Sequence, residues 1–130
     1  MLSLPSAVRI FVCTKPVDMR YAFDRLAMLT ESILLQDPFS GHLFVFYNKN
    51  RDKLKILLWD RTGLVIYYKR LEQGTFRFLS SDDSRMELNS ADLLLILEGI
   101  DLNGARRLKR YTRGGEKNFE KQKKIAINTQ

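Results

Sequence analysis

The strongest constraint on this chain lies between residues 42 and 70. Three apolar runs follow one another closely: "HLFVFYN" (42–48), "KLKILLW" (53–59) and "LVIYYKR" (64–70). All three are rich in the aliphatic and aromatic residues that suit a pleated surface. The last two are joined by "DRTG" (60–63), a tight-turn sequence in which Gly63 is free to take positive φ. No helix fits between runs this close, so the spacing predicts an antiparallel meander. The first run is nearly all apolar and reads as a central strand. In the second, Leu54, Ile56 and Leu58 share one face, and Lys53, Lys55, Leu57 and Trp59 share the other. In the third, Leu64, Ile66 and Tyr68 alternate with Val65, Tyr67 and Lys69. This alternation puts Tyr68 on the core face and Tyr67 beside Lys69 on a solvent face.

The flanking stretches supply the rest of a small domain. "VRIFVCT" (8–14) reads as a strand with Val8, Ile10 and Val12 on one face. Asp18 is well placed to cap a helix from about Met19 to Leu34. Within it Phe23, Leu26, Ala27, Thr30, Ile33 and Leu34 form a buried stripe. "DPFSG" (37–41) ends that helix, with Pro38 breaking it and Gly41 allowing a turn. "TFRF" (75–78) suggests a further short strand after Gly74, and "SSDDS" a loop. "NSADLLLILEGID" (89–101) is a second, short helix, capped by Asn89 or Ser90, with Asp92 in its first turn and Gly99 at its C-terminal end. The expected fold class is α+β: a single small domain over 1–104, with one longer and one short helix packed on an antiparallel meander.

Charge divides the chain at the same point. Residues 1–104 hold thirteen basic and thirteen acidic residues, whereas residues 105–130 hold nine basic residues against Glu116 and Glu120. The whole net charge of +7 therefore lies in the last 26 residues. We expect a neutral body and a basic, partly disordered tail over 105–130, with Gly114-Gly115 as a flexible point. The 130 residues fit one domain. No run reaches the ~18 apolar residues of a membrane span, and the N-terminus lacks signal-peptide form, so the expected location is cytoplasmic. One Cys and one His exclude an internal disulfide framework and leave no expectation of a zinc site or other cofactor.

Three phrases carry a resemblance: "KPVDMRYAFDRL" (15–26), "DPFSGHLFVFYNKNRDKLKILLWDRTGLVIYYKRLEQGTF" (37–76) and "LLILEGIDL" (94–102). In this order they resemble the TnpB accessory proteins of insertion sequences of the IS-sixty-six type. This second-reading-frame family is distinct from the RNA-guided nucleases that share the name TnpB. The resemblance covers about residues 8–112. It implies a bacterial mobile-element protein that assists transposition beside a separate transposase and a second small accessory protein. It implies no enzymatic activity and no catalytic residues. The matching pattern comprises Asp18-Met19-Arg20, the Asp-Pro-x-Ser-Gly at 37–41, Lys55, Trp59-Asp60 and the Tyr-Lys-Arg-Leu-Glu at 68–72. Two departures stand out: Asn50 interrupts the basic run after the first strand of the meander, and the chain continues well past "RRLKRY" (106–111).

The expected function is that of a non-enzymatic accessory factor binding element-end DNA, the transposase or the second accessory protein. Arg106, Arg107, Lys109, Arg110 and Arg113 are the main candidates for phosphate contacts, interleaved with Leu108 and Tyr111. Lys55, Lys69 and Arg70, with Lys53, form a secondary candidate face. Trp59, Tyr67 and Tyr68 are candidates for base stacking, against the plainer reading of cross-strand packing. An adaptor that never touches DNA is the alternative. A small metal-dependent nuclease built on Asp18, Asp60, Glu72 and Asp101 comes last, because these acids fall at turns and caps. His42 and Cys13 read as structural.

Overall fold

The structure, a computed structural model, describes residues 7–78, 81–101, 106 and 107. The central element is a five-stranded mixed sheet of order β4-β3-β2-β1-β5. Its strands are β1 (Ile10–Cys13), β2 (Leu43–Tyr47), β3 (Lys53–Trp59), β4 (Leu64–Arg70) and β5 (Arg85–Leu88). The meander is present as β2-β3-β4, antiparallel throughout, with Tyr47 opposite Leu54 and Trp59 opposite Leu64. The first strand adds to it in parallel, with Ile10 opposite Leu43, through a crossover that contains helix α1 (Phe23–Ser32). β5 closes the other edge, antiparallel to β1.

Both faces of the sheet are covered, so the chain is an α+β domain with a helix on each side. Ile10, Val12, Leu43, Val45, Leu54 and Ile56 pack with Leu93, Ile96 and Leu97 of helix α2 (Ser90–Leu97). Phe11, Cys13, Phe44, Phe46 and Leu57 pack with Leu26 and Leu34 on the α1 side. Burial of every residue in β1 and β2 follows from this double cover. It also corrects the assignment of a solvent face to β4. Tyr67 packs against the α2-side core, while Tyr68 is 51% exposed.

Helix α1 starts later than the cap pattern predicts. The Asp18 carboxylate accepts from Arg20 N at 2.8 Å, forming a local turn, and the chain does not become helical until Phe23. The cap position falls on Ala22, which has no side-chain oxygen to offer. The expected stripe is present in Leu26, Thr30 and Leu34, but Phe23 is exposed. At the far end Leu35 takes φ 55°, and Gln36 N donates back to Thr30 O at 3.1 Å.

Helix α2 follows its sequence signals. Asn89 accepts from Asp92 N at 2.7 Å, and Gly99 has φ 81°. The "TFRF" stretch is not a strand; Gly74 at φ 81° turns the chain, and Phe76 N donates to Arg51 O at 2.7 Å. Phe76 and Phe78 nevertheless enter the α2-side core. In the "DRTG" turn the positive φ belongs to Arg61, at 84°, and not to Gly63. After α2 the backbone doubles back. β6 (Ile100–Asp101) pairs antiparallel with β7 (Arg106–Arg107), with Asp101 opposite Arg106. The remainder of the expected 105–130 tail, including Lys109, Arg110 and Arg113, lies outside the described residues.

Candidate functional site

The motif residues gather at the two ends of the sheet. β3 spans seven residues, about 20 Å at the usual strand rise. At its Trp59 end a cleft of about 500 Å³ is lined by Phe39, Ser40, Gly41, His42, Trp59 and Asp60 among others. Here the Phe39 ring meets Trp59 edge-on at 5.1 Å. Asp60 accepts from the backbone N–H groups of Thr62 and Gly63, which hold its carboxyl below the ordinary range. His42 Nδ1 accepts from Arg9 N at 2.9 Å and ties β2 to the entry of β1. These contacts describe a braced turn.

The second cleft, about 430 Å³, lies at the Lys53 end, beyond the carboxyl ends of the parallel strands β1 and β2. Its lining includes Asp18, Arg20, Lys49, Asn50, Lys53 and Tyr68. Four stretches supply these residues: the loop after β1, the β2–β3 turn, the start of β3 and β4. The turn is rigid because Asn48 organises it. Its Oδ1 accepts from Asp52 N at 3.1 Å and Lys53 N at 3.0 Å, and its Nδ2 donates to Asp52 at 2.6 Å. The backbone strain of the turn falls on Arg51, at φ 58°. Lys49 is exposed on it, the exposed Arg51 holds its guanidinium 5.5 Å from the Tyr47 ring centre, and Lys53 stands opposite Arg70 in the β3–β4 register. Among the described residues Lys49 and Lys53 take part in no ion pair.

The other cations nearby are engaged. Arg20 forms a two-pronged pair with Asp18, closest contact 2.6 Å, which lowers the Asp18 carboxyl to about 2. Arg70 pairs with Glu72 at 2.6 Å. Lys55 is buried; its Nζ donates to Met19 O and Tyr21 O, each at 2.7 Å, and stands 4.7 Å from the Tyr68 ring centre. Burial pushes its ammonium below the ordinary lysine range, opposed by Asp18. Lys69 reaches the other side of the sheet and donates to Leu97 O at 2.7 Å, at the negative end of α2.

The sequence-derived face of Lys55, Lys69 and Arg70 is therefore divided in space. Lys55 fastens the loop before α1, Lys69 closes α2, and Arg70 alone of the three lies on the open rim. The side chains of Arg106 and Arg107 are outside what the structure describes, although their backbone forms β7. Lys49 and Arg51 were missed as candidates. The signal was present in "NKNRDK" (48–53), where three cations fall within five residues of a turn. Of the acids, Asp18 and Glu72 are each paired with an arginine, and Asp60 lies at the opposite end of β3. Among the described residues no group of three or more acidic, His or Cys side chains could hold a metal ion. No described helix is long and apolar enough to cross a membrane.

Fold and clefts thus define a small α+β protein with a cation-bearing cleft at one end of a doubly covered mixed sheet. The family model described as "IS66 Orf2 like protein" matches residues 8–107, and the chain belongs to this family of insertion-sequence accessory proteins. The chain is 35% identical over 107 residues to "Uncharacterized protein y4jC" of Sinorhizobium fredii (strain NBRC 101917 / NGR234), an overlap of 82% of this chain and 92% of that protein. It is likewise 35% identical over 100 residues to "Uncharacterized protein y4hO" of the same strain, covering 75% of this chain and 87% of the relative. No solved structure matches.

Proposed function

We propose that this protein is a non-enzymatic accessory factor of transposition that binds the phosphate backbone of element-end DNA. The observation that carries the reading is the placement of Lys49 and Lys53 on one cleft, with Arg51 in the same turn and Arg70 opposite Lys53, so that these cations gather at one end of a body whose charges balance as a whole. The Lys/Arg-rich segment 105–130 adds a second, larger source of positive charge. Together they serve as a phosphate-binding surface that releases counterions without reading bases. The transposase and the second accessory protein of the element are the proposed partners, with the protein acting in the cytoplasm.

The test is a titration of element-end duplex at several salt concentrations. Full-length protein is compared with a chain ending at Arg107, which keeps β7 and its pairing to β6. Binding of the full-length chain should fall steeply with salt. Each lost phosphate contact should flatten the log–log slope by about 0.9. Salt-independent or absent binding would overturn the reading. That result would favour a second one, an adaptor that contacts only proteins. Its support is the set of exposed apolar side chains on and after α1, namely Phe23, Met28, Leu35 and Phe39.

A further inference from the structure

The cleft at the Lys53 end contains more than charge. Tyr68, on the edge strand β4, lines it and is 51% exposed. The ring is not loose. The Lys55 ammonium lies 4.7 Å from its centre and is itself anchored to two backbone carbonyls of the loop before α1. Lys49, Lys53, Asn50 and Arg20 line the same cleft, and Lys49, Asn50 and Arg20 are exposed. The Asn48 network and the pairing of Arg20 with Asp18 fix the two walls. The result is an aromatic surface, a hydrogen-bonding amide and unpaired cations within one concavity of about 430 Å³.

From this arrangement we infer that the cleft takes an unpaired nucleotide of a single-stranded segment, its base against Tyr68 and its phosphates on Lys49 and Lys53. The inference rests on the polyanion-binding reading above and sharpens it. A duplex satisfies cations along its backbone but keeps its base faces stacked inside, so it makes no use of Tyr68. A single strand offers base faces and phosphates together, and stacking on an aromatic tolerates any base. Wet aromatic surface beside cations is the combination such strands select. Charge alone would explain the lysines, but not a tyrosine held at the cleft with half its surface uncovered.

The test uses the full-length protein and three probes of equal length: a thymidine oligomer, an abasic oligomer with the same phosphates, and a duplex. The thymidine oligomer should bind roughly tenfold more tightly than the abasic one, within the range of one base–aromatic stack. Tyr68→Leu, which keeps apolar bulk beside Lys55, should erase that difference while leaving abasic binding unchanged. Tyr68→Phe, which keeps the ring, should preserve it. Lys49→Ala with Lys53→Ala should weaken all three probes and reduce the salt slope for single strands by about 0.7 per lost contact. Equal affinity for thymidine and abasic oligomers, with salt-dependent binding intact, would overturn the inference alone. So would a Tyr68→Leu protein that still discriminates between them. Absence of salt-dependent binding to every probe would overturn the polyanion reading and the inference with it.

Discussion

The Lys55 ammonium bridges two backbone carbonyls and so joins the middle of the sheet to the segment before α1. Replacing it with Met keeps the stem but leaves both carbonyls without that donor. The expected cost is about 1–3 kcal/mol, read as a lower urea midpoint at unchanged m-value. Wild-type stability in the Lys55→Met protein would remove this role. Asp18 gives a second prediction. Its folded pKa of about 2 lies below the ordinary 3.8, chiefly because of the Arg20 side chain. A depressed carboxylate contributes stability above the unfolded value and loses it as pH falls through the folded value, so the relevant window runs from about 4 down to about 2. Carboxyl carbon shifts should show a midpoint near 2, returning toward the ordinary value in Arg20→Ala. Neither role was legible in sequence. Alternation placed Lys55 on the correct strand face but says nothing of what covers it. Asp18 followed by an apolar stripe fits a helix cap as well as an i, i+2 turn, and only the later start of α1 separates the two.

Among elements, the legible ones are those whose signals are local. The meander, the Asn89 cap and Gly99 were readable because each depends on residues within one turn or one hairpin. β5 was not, because "RMEL" (85–88) offers only Met86 and Leu88 to a pattern, and its pairing is with β1, more than seventy residues earlier. The parallel β1–β2 contact was likewise invisible to spacing, although two wholly apolar runs were a hint that both sheet faces are covered. Segment 75–78 misled in a different way: its aromatics are core residues without being a strand. Phe76 is fully buried, so Phe76→Ala should cost about 3–5 kcal/mol in chemical denaturation. A loss below about 1 kcal/mol would show the segment to be peripheral. The end of α1 permits a gain. Leu35 is 61% exposed and holds φ 55°, a conformation that favours glycine. Relief of the left-handed penalty, about 1–2 kcal/mol, outweighs the ~0.4–1 kcal/mol entropic cost of a glycine. Leu35→Gly should therefore raise the urea midpoint slightly, and a marked fall would mean that the Leu35 side chain contributes packing.

At the scale of the molecule the positive charge is split between a rim and a C-terminal segment. Beyond Arg107 lie seven basic residues and two acidic ones; the rim contributes Lys49, Arg51 and Lys53, with Arg70 largely offset by Glu72. If both surfaces neutralise phosphates of one DNA, their effects on the salt dependence should add, because counterion release counts contacts wherever they occur. A double-mutant cycle makes this measurable: the full chain, the chain ending at Arg107, the Lys49/Arg51/Lys53→Ala triple variant, and the two changes combined. The truncation should remove the larger part of the slope, up to about 0.9 for each of the seven basic residues in contact. The triple variant should remove up to about 2.7. The combined protein should lose the sum, within the scatter usual for independent sites. A triple variant with no effect in either background would confine binding to the C-terminal segment and leave the rim without a role. A combined loss well short of the sum would mean that the two surfaces compete for the same phosphates, which requires the segment after β7 to reach the Lys53 end of the sheet.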